Sequence, residues 1–103
     1  TSVMQLTQQG IAETVERVLS DYDVEKAYLF GSFARGDVQD SSDVDLRLVC
    51  GPNMTFGLLY ELTEKLESEL GRDVEIVTNP PERMRPALRE RIEKDEVLLY
   101  GAA

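Results

Sequence analysis

The sequence predicts a mixed α/β domain, an α+β fold in which a small mixed β-sheet of about four strands carries helices on one face and leaves the other for chemistry. Three observations carry the prediction. Short apolar runs, each closed by glycine, proline or a polar cluster, are interleaved with longer segments whose apolar residues recur at helical spacing. Two of the short runs alternate apolar with charged residues, the pattern of strands with one buried face. The chain has 103 residues and no internal repeat, low-complexity tract or linker, so a single domain over 1–103 is expected.

Each element has its own signal. Ile11, Val15, Val18 and Leu19 recur at helical spacing, which predicts a helix over roughly residues 4–21. Ala27 to Phe30 is an apolar run ending at Gly31 and reads as a strand. Ser32 to Gly36 reads as one short helical turn, and Asp37 to Ser42 as a polar loop. Val44, Leu46 and Leu48 alternate with Asp43, Asp45 and Arg47, which predicts a second strand with one apolar face. Gly51-Pro52-Asn53 breaks it. Leu58, Leu59, Leu62, Leu66 and Leu70 mark a helix, with Gly71 placed to cap its end. Asp73 to Val77 is a third alternating strand, stopped by Asn79-Pro80-Pro81. Met84, Leu88 and Ile92 mark a last helix, and Val97 to Tyr100 a final strand. The order is α-β-turn-β-α-β-α-β.

Composition removes several functions. The hydrophobic fraction is 42% and the charged fraction 30%, so the chain is globular and not disordered. A formal net charge of -9, from 20 acidic and 11 basic residues, argues against direct nucleic-acid binding, which rests on Lys and Arg neutralising phosphates. The absence of histidine removes His-based acid–base catalysis and His-built zinc sites. Cys50 is the single cysteine, so no intramolecular disulfide forms, and it reads as a packing residue. No apolar run approaches membrane-spanning length and no signal-peptide pattern is visible. No membrane association is expected, and the expected location is cytoplasmic.

The chemistry centres on carboxylates. Strand side chains alternate faces, so if Val44, Leu46 and Leu48 face the core, then Asp43, Asp45 and Arg47 share the opposite face. The Cα atoms of Asp43 and Asp45 are then about 7 Å apart. In the third strand Val74 and Ile76 face the core, which turns Asp73 and Glu75 to the same side and, if the two strands are neighbours, brings the carboxylates together. Three or four converging carboxylates resist joint ionisation unless cations accompany them. Magnesium suits an all-oxygen site, taking one or two carboxylates and completing its shell with water and substrate phosphates. Gly31-Ser32 follows a strand and opens a tight turn, where backbone N–H groups and a hydroxyl can approach an anion. A polyphosphate between Ser32 and the carboxylates is the arrangement these pieces suggest.

The run Leu29-Phe30-Gly31-Ser32-Phe33-Ala34-Arg35-Gly36, followed by Ser42-Asp43-Val44-Asp45-Leu46, resembles the minimal nucleotidyltransferase proteins of the DNA polymerase β-like superfamily. Their signature is Gly-Ser, ten intervening residues, then Asp-x-Asp. Residues 33–42 are those ten. The resemblance implies a nucleotidyltransferase-like fold and a metal-dependent transfer of a nucleoside monophosphate, AMP from ATP, to a hydroxyl. Asp43 and Asp45 would bind Mg2+, with two ions allowed, and Gly31 and Ser32 would hold the β- and γ-phosphates. The third carboxylate of the family falls on Glu75, where Asp is usual, with Asp73 as the back-up. Arg35 either contacts phosphate or pins the turn through backbone carbonyls and Asp37. Arg47 stands where an apolar residue is expected. It pairs with Asp45 or Glu75, grips a phosphate, or forms a plain surface ion pair.

The resemblance also implies a partner. Such proteins are commonly paired with a HEPN toxin and neutralise it, in characterised cases by adenylylating a toxin tyrosine. The leading expectation is therefore an antitoxin that modifies a HEPN partner. Two alternatives stand beside it: an antitoxin that neutralises by contact without catalysis, and a nucleotidyltransferase acting on a small molecule. The last would need a dimer or a partner subunit to replace an extra helical domain, and both homodimer and hetero-oligomer are open. Arg83, Arg85, Arg89 and Arg91 form the one dense basic segment. It reads as a solvated face, as a docking edge for an acidic partner, or as arginines reaching the nucleotide.

Overall fold

The computed structural model describes residues 7–36, 43–78 and 81–101. The expected polar loop over 37–42, and the part of the first helix expected before Thr7, lie outside the described residues. Helix α1 spans Gln8–Leu19, and Thr7 sets its start by accepting the Gly10 N–H at 3.0 Å. Strand β1 is Val24–Phe30, followed by the four-residue helix α2, Ser32–Arg35. Strand β2 is Val44–Cys50. Helix α3, Phe56–Leu70, is capped by Thr55, whose hydroxyl accepts the Leu58 N–H at 3.1 Å. It ends at Gly71, whose φ of 68° is the left-handed conformation a C-terminal cap needs. Strand β3 is Val74–Val77 and strand β4 is Val97–Tyr100.

The sheet order is β3-β2-β1-β4. β1 pairs antiparallel with both β2 and β4, while β2 and β3 run parallel, so the sheet is mixed. Parallel neighbours need a long crossover, and α3 supplies it. The apolar rows of the strands meet α1 and α3 to form the core. Val44, Leu46 and Leu48 of β2 are buried there beside Leu29, and so are Ile11, Val15, Leu62 and Leu66 of the two helices. Each such side chain stabilises the fold by about 1.5–3 kcal/mol through burial.

The last helix begins later than the apolar spacing suggests. Residues Pro81–Arg83 form a 3-10 turn, and α4 runs over Pro86–Asp95. Proline disfavours helical geometry in the residue before it, and Arg85 is extended at ψ 142°. Pro86 then starts the helix, where its missing N–H costs nothing. Met84 is left ahead of the helix and half-buried.

α4 has a position the spacing alone does not reveal. It packs on β1, and its Ile92 is 2% exposed, yet neither Ile92 nor Phe30 belongs to the core that α1 and α3 build. Phe30 stands opposite Asp45 and Tyr28 opposite Arg47 in the β1–β2 ladder, so these four share a face. α1 and α3 therefore cover one face, and α4 borders the other along β1. Beside it, among the described residues, Asp43 and Glu75 are exposed and Asp45 is half-buried. Among the described residues no helix is long and apolar enough to cross a membrane.

Candidate active site

The site forms where β1 ends, at Gly31. This residue has φ 78° and ψ −154°, a region closed to ordinary side chains. A second reason for glycine is spatial: a Cβ here would stand 2.2 Å from Asp45 Oδ2. The Asp45 carboxylate thus lies directly against the Gly31 backbone. From Gly31 the chain enters α2, where the Ala34 and Arg35 N–H groups both reach the Gly31 carbonyl, at 3.1 and 3.0 Å. A helix that opens this way leaves the N–H groups of Ser32 and Phe33 without an acceptor inside it. Half-buried Ser32 adds its hydroxyl at the same corner.

The carboxylates come from β2 and the adjoining parallel strand. Asp45 is level with Glu75, and Val44 with Val74, so the two acidic side chains lie side by side on one face. Asp45 titrates at about 6, above the usual carboxylate range. Burial is the largest cause, followed by a side-chain hydrogen bond to Glu75 and the Glu75 charge. Arg91 opposes the shift, and Asp43 adds to it from two residues away. Two carboxyl groups on neighbouring strands at one level can share either a proton or a cation. That donor set, all oxygen, with Asp45 half-buried and Glu75 exposed, fits a hard divalent ion. Among the described residues no three His, Cys, Asp or Glu side chains close into a complete cage. A cation here would therefore draw further oxygens from substrate and water. Asp43 is exposed at the mouth, and Asp73 is exposed while its carbonyl accepts the Val44 N–H at 2.9 Å.

The two site arginines have partners that the sequence reading did not name. Arg47 is buried and bonds Glu96 through two contacts, at 2.9 and 3.0 Å. Its guanidinium lies over the Tyr28 ring, 4.3 Å from the centroid. The Glu96 hydrogen bond raises the Arg47 pKa further. Arg35 bonds Asp95 at 2.8 Å, and the Asp95 side chain is only 7% exposed. So the end of α4 is tied to α2 through Asp95 and to β2 through Glu96. Gln8 ties α1 to α2, its Nε2 donating to the Phe33 and Ala34 carbonyls at 3.0 and 3.1 Å.

Asp95, Glu96 and Gln8 were missed by sequence reasoning, and for the first two a signal existed. Acidic residues at a helix C-terminus oppose the helix dipole, so two in succession call for cations nearby. No comparable signal marks Gln8.

A sheet of this order, with a Gly-Ser turn facing an Asp-x-Asp strand, defines a nucleotidyl-transferring fold. The chain belongs to the polymerase β nucleotidyltransferase family, whose model matches residues 13–103, and it is an enzyme of that class. It is 31% identical over 80 residues to a candidate protein adenylyltransferase of Methanocaldococcus jannaschii, covering 78% of this chain and 84% of that protein. It is 36% identical over 50 residues to the protein adenylyltransferase MntA of Shewanella oneidensis, covering 48% of this chain and 36% of MntA. Among solved structures, a toxin–antitoxin crystallised with AMP-PNP superposes with a TM-score of 0.71 at 25% identity, over 88% of this chain and 73% of the other.

Proposed function

We propose that this chain, acting as one domain, transfers AMP from ATP to a hydroxyl of a partner protein and neutralises that partner as an antitoxin. The observation that carries the reading is the Asp45 carboxylate seated against Gly31 and level with Glu75 on the adjoining parallel strand. It joins a phosphate-accepting turn to an acidic pair within one corner. The related adenylyltransferases and the nucleotide-bound toxin–antitoxin support the donor and the kind of partner. A tyrosine of a HEPN toxin is the acceptor that the resemblance implies, and the cytoplasm is where the pair would meet.

The roles follow from position. Gly31 and the N–H groups that open α2, with the Ser32 hydroxyl, receive the β- and γ-phosphates. Asp43, Asp45 and Glu75 would hold Mg2+ together with oxygens of the triphosphate and water. When bound, the ion would offset the phosphate charge and polarise the reacting oxygens. The acceptor oxygen forms a bond to the α-phosphorus, the α–β bridging bond breaks, and pyrophosphate leaves with the electron pair. Glu75 or Asp43 takes the hydroxyl proton. Arg35 and Arg47 act through Asp95 and Glu96: they hold α2 and β2 in register with α4 and so position the turn against the carboxylates.

A second reading, neutralisation by contact alone, is favoured by Glu75 at the third position and by Arg47, buried against Glu96 on the carboxylate strand. Co-expression with the protein encoded beside it separates the two. Transfer requires that Asp43→Asn/Asp45→Asn abolish both labelling and protection. Protection that survives the double substitution overturns the enzymatic reading.

A further inference from the structure

Four arginines of α2, β2 and α4 can be compared by what already holds them. Arg47 is bonded to Glu96 and Arg35 to Asp95. Arg89 forms a surface pair with Glu93 at 3.1 Å. Arg91 is exposed, and among the described residues it makes no recorded hydrogen bond or ion pair.

Its place on α4 is well determined. The next residue, Ile92, is buried, which anchors that turn of the helix. Residues four apart share a helix face, so Arg91 lies one turn before Asp95, on the side that bonds Arg35 of α2. α4 borders the carboxylate face, and the Arg91 charge is felt at Asp45. An exposed guanidinium one helical turn from the Asp95 contact with α2, whose charge reaches Asp45, is suited to bind phosphate oxygens in two-pronged fashion.

We propose that Arg91 is the side chain that grips the β- and γ-phosphates of the bound nucleoside triphosphate. The proposal rests on the nucleotidyltransferase reading of the site and deepens it. It divides the basic segment: Arg91 serves the nucleotide, while Arg89 belongs to the solvated face. It also moves the phosphate-binding role from Arg35 and Arg47, whose guanidinium groups are engaged by acidic partners, to Arg91.

The test measures MgATP affinity of the full chain by calorimetry at several salt concentrations, for wild type, Arg91→Gln, Arg91→Lys and Arg89→Gln. Thermal unfolding of each variant confirms that it is folded. Arg91→Gln is expected to weaken MgATP binding about tenfold and to flatten its salt dependence, because one screened contact is gone. Arg91→Lys should recover part of the loss, and Arg89→Gln should match wild type. Wild-type affinity and salt dependence in Arg91→Gln would overturn the proposal. So would equal losses in Arg91→Gln and Arg89→Gln. If the wild type itself fails to bind MgATP, the underlying function falls as well, which separates the two failures.

Discussion

Replacing Glu96 with alanine removes one partner of a largely buried ion pair, and the cost can be worked from the structure. The Arg47 side chain is 10% exposed and that of Glu96 23% exposed. They make two charged hydrogen bonds, at 2.9 and 3.0 Å. Breaking a fully buried pair costs about 3–5 kcal/mol, because the remaining charge is stranded. Exposed pairs contribute about 0–1 kcal/mol. This pair lies nearer the buried limit, but water can reach the arginine through the gap, and the Tyr28 ring still faces its guanidinium. The expected loss is about 2–3 kcal/mol. In a domain of this size each kcal/mol moves Tm by about 4–8 °C. Urea denaturation should show a lower midpoint at unchanged slope. The refuting control is a double-substitution cycle with Arg47→Met. The double variant should recover about half the loss, since the stranded charge is then gone. A Glu96→Ala loss below about 0.5 kcal/mol, or strict additivity with Arg47→Met, would show that this contact does not hold α4 to β2.

Three further outcomes follow. Gly31→Ala places a Cβ 2.2 Å from Asp45 Oδ2 at a φ of 78°; about 1–3 kcal/mol of stability and most of the transfer activity should be lost, and an alanine variant with wild-type Tm and rate would contradict the packing. The Asp45 carboxyl titrates at about 6 in the folded chain and at 3.8 in its ordinary state, so the folded form binds more protons between those values, and its contribution to stability is lost as pH rises from about 4 to about 6. Asp45→Asn should therefore gain about 1–2 kcal/mol at pH 8, discounted for solvent screening of a half-exposed group, and show no such gain at pH 3.5; a gain at both pH values would place the cause elsewhere. Saturating Mg2+ should raise the wild-type Tm at pH 8, by an amount equivalent to about 2–3 kcal/mol at a hundredfold excess over its dissociation constant; an equal rise in Asp43→Asn/Asp45→Asn would move the ion to another site.

Much of the fold could be read from the sequence because β2 states its own geometry. The alternation of Val44, Leu46 and Leu48 with Asp43, Asp45 and Arg47 assigns both faces at once. The apolar row does lie in the core, and Asp45 lies on the face away from it. The pairing of Glu75 with Asp45 needed one further condition, that β3 lie beside β2, and the sheet order meets it. Gly71 was legible because helix ends carry local chemistry.

The α4 region was less legible, and the reasons are physical. Apolar spacing located Met84, Leu88 and Ile92 but could not weigh Pro86, which moves the helix start past Met84. Nor could periodicity say which face of the sheet α4 meets, since a single buried Ile92 serves either side. The partners of Arg35 and Arg47 are 60 and 49 residues away in sequence. Pairings at that range come from the tertiary packing of α4 on β1 and not from local pattern.

The most direct test of the account asks which phosphorus of ATP becomes attached to the acceptor. The full chain is incubated with its genomic neighbour, Mg2+ and ATP labelled at either the α- or the γ-phosphate. The account predicts that α-label is transferred, that γ-label is released as pyrophosphate, and that Asp43→Asn/Asp45→Asn transfers neither. Attachment of the γ-label, or α-label transfer undiminished in the double variant, would contradict it.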